Sequence, residues 1–487
     1  LDQNFVNTNS FKTMKNQNRR TFIKNSILTG SAFAINNPVN IFGQDSIQPL
    51  KEIRIKEVDS NFEREPLIRP FGFKGGYMSE IWQTVSYLES YSGQHQIGLC
   101  TQNVLWSDAN VFSSNSEAAG NALMYAVTEF AQRIIRGQTF SDPVSLLDEI
   151  LPKVYSYAKK VTSNPNLRKT FALNALVGVD NALWLLYAQE NGFKTFDDMI
   201  PEKYKPCLSY QHKNAAAIPL MAYNIPINEI SQAVDQGYFF MKIKIGQPGT
   251  QEKMLEKDKA RLSAIHRAIG NVRTKYSKDG KLPYYFDANG RYEKKETLMR
   301  LLDHAMKIGA FDQISVIEEP FSEVLEIDVS DIPVRLAADE SAHTDEDAIK
   351  RIEMGYRAIA LKAIAKTLSM TMKIALAAHE RNIPCFCADL TVNPILIEWN
   401  KNVAARLKSF PGMNNLGLIE SNGHQNYKNW EKMMSYHPSN SGSWIKAKNG
   451  VYQLGSDFYQ NSGGIFDRTS HYENMFKKKQ NFKAKGA

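Results

Sequence analysis

Between Met241 and Lys362 the chain repeats one pattern: a short apolar, β-rich run ends in a charged residue and is followed by a helix-like stretch. The runs are FFMKIKIG, YYFDANG, SVIEEPF, VRLAADES and AIALKAI. Strands alternating with helical stretches of this length argue for βα units and a parallel sheet. In a parallel barrel the carboxyl ends of the strands share one rim, so residues distant in sequence converge there. Asp287, Glu318 and Asp339 are therefore expected to face one point, with Lys244 and Lys362 on either side.

Three carboxylates cannot sit together ionised unless a cation neutralises them. An all-oxygen set of this kind suits Mg²⁺, Mn²⁺ or Ca²⁺ better than zinc. A lysine beside such an ion has its ammonium form destabilised, which moves it towards the range of a general base. A metal that stabilises an enolate beside a lysine that takes a proton is a known arrangement for abstraction α to a carboxylate. Lys242 lies two residues before Lys244 and so on the same strand face. Glu318 and Glu319 point opposite ways on a strand, so only one of them can be a ligand.

The KIK at Lys242–Lys244, the DAN at Asp287, the EEP at Glu318, the DES at Asp339 and the LK at Lys362 resemble the enolase superfamily, in that family's order. The likeness is to its mandelate racemase/muconate-lactonizing group, and within it to the muconate-lactonizing and dipeptide-epimerase branch. It runs from about Ile53 to about Gly464 and includes VDNALW at Val179–Trp184, which resembles the helix leading into the family's barrel. The resemblance implies an α+β capping domain followed by a modified (β/α)8 TIM barrel. It implies Mg²⁺, with Mn²⁺ as a substitute, on Asp287, Glu318 and Asp339, which selects Glu318 over Glu319. Lys244 and Lys362 would be the catalytic pair and Lys242 would orient the substrate carboxylate. Asn289 would support Asp287, and Glu340 would pair with a lysine behind the ligands. An early loop near Arg64 to Tyr77 would close over the barrel mouth, and the last residues would return to the cap. The family often forms homo-oligomers.

The expected divisions are a leader over 1–34, a cap over 51–165, a barrel over 166–435 and a C-terminal segment over 436–487 with a basic tail. Asn18-Arg19-Arg20-Thr21-Phe22-Ile23-Lys24, with a short apolar run and Ala32-Phe33-Ala34 after it, looks like a twin-arginine export signal. It predicts export by the twin-arginine translocase to the periplasm. Of the net charge of +8, the cations Lys12, Lys15, Arg19, Arg20 and Lys24 lie in this leader. The Lys477–Lys479 run with Lys483 and Lys485 is a solvated tail rather than a nucleic-acid footprint. Four cysteines in 487 residues do not make a disulfide framework, and Cys385 and Cys387 are expected to pack. Beyond the leader, no run approaches the ~18 apolar residues of a membrane span.

Strand-like patterns fill Ile53 to Phe112, with a turn-rich FEREPLIRPFGFKGG inside them, and helical periodicity fills Ser116 to Asn191. Trp184 and Leu183 are core positions. Residues Ile218 to Ile225 are expected to form the first barrel strand. Beyond Lys362 the likeness loosens: AKTLS at Ala365–Ser369 replaces the Gly-Gly common in this branch, and CADLTVNP ends the next strand. Asp389 is expected to touch substrate or shape the pocket. Glu420, ending LGLIES, is a candidate acid or substrate contact, with His424 nearby, while a helix N-cap is the plain alternative for that region. His343 and His379 are expected to be surface or packing residues.

These parts point to a small-molecule carboxylate as partner, with no nucleic acid and no membrane span. The expected activity is racemisation or epimerisation of an amino-acid derivative or related carboxylate. Acid-sugar dehydration and cycloisomerisation use the same scaffold, and a non-catalytic periplasmic binding protein is the reading outside enzymes.

Overall fold

The computed structural model describes residues 50–73 and 76–484. The twin-arginine leader lies outside these residues.

The chain opens with antiparallel strands β1 (Ile53–Phe73), β2 (Gly76–Ser90) and β3 (His95–Gln102), and β4 (Thr139–Phe140) joins later on the far edge of β1. The turn-rich stretch around Pro66 and Pro70 is therefore part of a 21-residue strand. β4 covers only Ile53 and Arg54, so the outer edge of β1 is free of sheet partners where the prolines, lacking an N–H, fall. There the edge meets the barrel: Leu67 bridges Tyr427, and the N–H of Lys428 donates to the Pro66 carbonyl at 3.0 Å.

Three helices pack behind this sheet, at Glu117–Ile135, Pro143–Thr162 and Lys169–Asn191. The first two begin on side-chain caps from Ser116 and Asp142. The third is buried from Thr170 to Ala188, with Trp184 at 0% exposure. Among the described residues it is the one helix long and apolar enough to cross a membrane, a run the sequence reading passed over. Its apolar stretch is wholly enclosed by protein, because a helix apolar on every side also suits a core. Its backbone touches β3 directly: a Cβ placed on Gly98 would lie 2.0 Å from the Gly178 carbonyl oxygen.

The barrel strands are β5 (Asn214–Ile218), β6 (Leu220–Met221), β7 (Met241–Lys244), β8 (Tyr284–Asp287), β9 (Ile314–Glu318), β10 (Leu336–Ala338), β11 (Ala358–Leu361), β12 (Cys385–Cys387) and β13 (Gly417–Glu420). Each pairs in parallel with the next from β6 to β13. β5 and β6 are one strand interrupted at Pro219; β6 pairs with β7 and β5 with β13, which closes the ring. Counting β5 and β6 as one gives eight positions. The first strand thus starts earlier than the sequence suggested and leaves the sheet after Met221. The carbonyls of Ala222, Tyr223 and Ile225 turn to the guanidinium of Arg261 instead of a neighbouring strand.

Helices follow β6, β7 and β8, and others follow β10, β11 and β12, whereas residues 319–335 after β9 form no regular helix. Cys385 and Cys387 are buried free thiols on β12. After the barrel, β14 (Val451–Gln453) pairs antiparallel with β5. The final helix Ser470–Ala484 reaches the cap, where Asn61 Nδ2 donates to the Met475 carbonyl at 3.2 Å and His471 meets Glu63 at 2.9 Å.

Candidate active site

From the second position to the eighth, the strands place one charged residue after another around a single rim. Lys244 ends the second strand, Asp287 the third and Glu318 the fourth. Asp339 follows the fifth, Lys362 the sixth and Asp389 the seventh, and Glu420 ends the eighth. A cleft enclosing about 610 Å³, open mouth included, is lined by Lys242, Lys244, Asp339, Lys362, Asp389 and Glu420 among others. Phe71 and Trp106, edge to face at 5.4 Å, bring the cap to its mouth. The stretch expected to form a lid is thus the far part of the β1–β2 ribbon.

Lys242 Nζ lies 2.8 Å from Glu318, 3.0 Å from Asp287 and 3.2 Å from Glu420. Burial alone would drive its pKa down, but these three carboxylates hold it well above the usual lysine value. It was expected to orient a substrate carboxylate; here its ammonium is committed to protein acids. Lys244 Nζ sits 2.5 Å from both Asp287 Oδ2 and Asn289 Oδ1. Burial works to raise the Asp287 pKa, and the two lysines overcome it and pull it to about 2. The Asn289 backbone N–H donates to Asp287 Oδ1 at 3.0 Å.

Glu318 takes the hydroxyl of Tyr285 on one oxygen and Lys242 on the other, yet burial keeps its pKa well above the usual carboxylate range. Lys362 pairs with Asp339. Asp389 accepts the N–H groups of Leu390, Val392 and Asn422, and its own N–H donates to Glu420. Burial, then the Glu420 charge, raises it to about 7.

Carboxylate oxygens of Glu318, Asp339 and Glu340 come within 4.8 Å of one another. Asp339 Oδ1, Glu340 Oε2 and Glu319 Oε1 are buried without a hydrogen-bond partner. Within that group Asp339 and Glu340 each keep a buried oxygen without a partner, a chemistry that would suit a hard divalent cation. The group shares Glu318 and Asp339 with the expected ligands. Asp287 is occupied by two lysines, and Glu340 stands in the cluster, held by the Asn289 amide at 2.8 Å rather than by a lysine. The reason is local: both Asp339 and Glu340 lie past the end of β10, where the chain turns from Asp339 to Ala342 and side chains no longer alternate. Glu319, with φ of +39°, has turned out of β9 and braces that turn, accepting from the N–H of Asp339 at 2.8 Å and the hydroxyl of Ser341 at 3.0 Å.

Two cations of the site were missed in the sequence. Lys366, one helical turn past Lys362, was there to be found by its four-residue spacing. Arg168, which donates to the Glu340 carbonyl and grips Glu323 with two nitrogens, carries no pattern that marks it. His343 is half-buried between Thr170 and Glu323, His379 is exposed, and His424 is exposed with its ring edge-on to Trp430.

The geometry is thus an acidic cluster between lysines at the mouth of a capped parallel barrel. Residues 227–436 match the family described as enolase C-terminal domain-like. No curated protein sequence matches the chain. Among solved structures, a dipeptide epimerase from Enterococcus faecalis complexed with Mg and the dipeptide L-Leu-L-Tyr is 17% identical, covers 82% of this chain and 97% of its own, and superposes with a TM-score of 0.58. The L-Ala-D/L-Glu epimerase from Bacillus subtilis, a substrate-liganded complex, is 14% identical, with coverage of 82% and 96% and a TM-score of 0.59. An N-succinyl Arg/Lys racemase from Bacillus cereus is 15% identical, with coverage of 77% and 89% and a TM-score of 0.55.

Proposed function

We propose that this chain is a racemase or epimerase that removes and returns the proton α to a carboxylate, acting on a dipeptide or N-acylated amino acid. The observation that carries the reading is the placement of Lys244 and Lys362 at the second and sixth of eight strand positions, opposite each other across the mouth, with the acidic cluster between them. That substrate class is the one named for the structures with the same fold.

Glu318, Asp339 and Glu340 would hold a divalent cation, Mg²⁺ by preference, with Asp287 beside them. Such an ion, when bound, stabilises the negative charge that develops on the substrate carboxylate as the α-proton leaves. A neutral lysine on one face takes that proton onto Nζ, breaking the α-C–H bond. The opposite lysine, as ammonium, delivers its own proton to the other face, and the carbon is inverted with no net gain or loss of protons. Lys242 keeps its charge and fixes Asp287, Glu318 and Glu420 in place. Asp389 and Glu420 face the substrate from the remaining arc of the rim.

The test is α-proton exchange in deuterated water with Mg²⁺, using a series of dipeptides and N-acyl amino acids read by mass. Wild-type protein is expected to label and invert its substrate. Lys244→Ala and Lys362→Ala should each lose inversion by roughly 10² to 10⁴-fold. Each should still exchange the α-proton of one stereoisomer, and the two variants should prefer mirror images. Inversion that survives in both variants would remove the lysine pair, and loss of a β-substituent from the substrate would assign a lyase instead.

A further inference from the structure

The proposed reaction leaves one buried lysine at the mouth without a part. Lys366 ends the short helix Ala363–Lys366 and is 2% exposed. Its Nζ donates to the carbonyls of Asp339 at 2.7 Å and Ala342 at 2.8 Å, and lies 3.6 Å from Asp339 Oδ1. Those two carbonyls bracket the turn that carries Asp339 and Glu340. A buried ammonium is costly to desolvate, and this one lies beyond hydrogen-bond reach of every carboxylate, its bonds going to backbone.

The backbone that delivers it is strained. Thr367, the next residue, has φ of +72° and ψ of 155°, a region that only glycine enters freely. Its hydroxyl accepts from the N–H of Met370 at 3.1 Å and caps the following helix, Leu368–Glu380. Ser369 is anchored on the cap's buried helix: its N–H donates to Asp180 at 3.1 Å, its hydroxyl donates to Asp180 at 2.5 Å, and Trp184 Nε1 donates to that hydroxyl at 3.0 Å. A network reaching into the cap thus holds a strained residue whose neighbour points into the acidic turn.

We propose that Lys366 is a positioning residue, which pins the Asp339–Ala342 turn so that the unpartnered oxygens of Asp339 and Glu340 stand ready for a divalent cation. The inference rests on the cation reading of the site given above. Charge and position make opposite demands here. An ammonium repels a divalent cation, so if only its charge mattered, removing Lys366 would tighten cation binding. A positioning role requires the reverse.

The experiment is Mg²⁺ titration calorimetry on wild-type protein and Lys366→Met, together with amide hydrogen exchange over residues 339–343 in the metal-free proteins. K366M is expected to fold, to bind Mg²⁺ about 10-fold or more weakly, and to exchange the Ser341 and Ala342 amides faster. Equal or tighter Mg²⁺ binding by K366M, with normal wild-type binding, overturns this inference alone. Wild-type protein that binds no Mg²⁺ overturns the cation reading and this inference with it. A K366M that does not fold also overturns it, by making the lysine a determinant of the fold rather than of the site.

Discussion

Lys242 and Lys244 are two residues apart, and their fates differ because their surroundings do. Lys242 meets three carboxylates with its side chain 4% exposed, whereas Lys244 is 11% exposed and shares Asp287 with its neighbour. Lys242→Met leaves buried acids without a counter-charge and should destabilise the protein by about 3–5 kcal/mol. Lys244→Met leaves Asp287 still paired, so urea unfolding should find its midpoint close to wild type. A second pair of variants, Asp339→Asn and Glu340→Gln, removes charge from the oxygens that lack partners, and each should weaken Mg²⁺ binding in calorimetry by at least ~10-fold. Calorimetry that found only Asp287→Asn impaired would favour the ligand set expected from sequence. Lys244, Asp287 and Glu318 were legible because each ends a barrel strand, and Lys362 because it stands directly after one, where position predicts direction. Glu340 and Lys366 were harder to place, since they lie on turns where neither period two nor a long helix tells where a side chain goes.

At the level of elements, the barrel order was legible from strand-helix alternation, while the first strand was misplaced. Its neighbour Arg261 lies nearly forty residues on and draws the carbonyls of Ala222, Tyr223 and Ile225 out of the sheet, which no local pattern records. The long ribbon was misread for a related reason, since prolines suggest a turn unless one edge of the strand is known to be unpaired. The contact between β3 and the helix Lys169–Asn191 is the tightest test of how the cap is built. Gly98→Ala would press a methyl group against the Gly178 carbonyl oxygen, and backbone on both sides cannot yield. It should cost about 3 kcal/mol or more and lower the melting temperature by several degrees. A melt like that of wild type would show that strand and helix can slide apart.

Across the whole molecule, stability should depend on pH through the acid that ties the cap to the barrel. Asp180 is fully buried, and burial raises its pKa to about 7 against the opposing hydrogen bonds from Ser369. Its unfolded value is near 4. Between these values the folded state binds the extra proton, so stability is full below about pH 4 and falls as pH rises to about 7. Asp180→Asn should flatten that slope in denaturant titrations across pH 4–7, and a slope unchanged by the substitution would place the titration elsewhere. The ring itself has a consequence for how the protein comes apart. An open sheet frays inward from its outer strands, but here the segment on either side of Pro219 touches both the eighth strand and the second, so, β14 aside, none of the eight barrel positions is outermost. Peeling any one away breaks two ladders at once, which makes partial unzipping unfavourable and unfolding abrupt. A circular permutant with its new ends at Pro219 would keep every side chain yet turn the hoop into a strip, with edges where melting can begin.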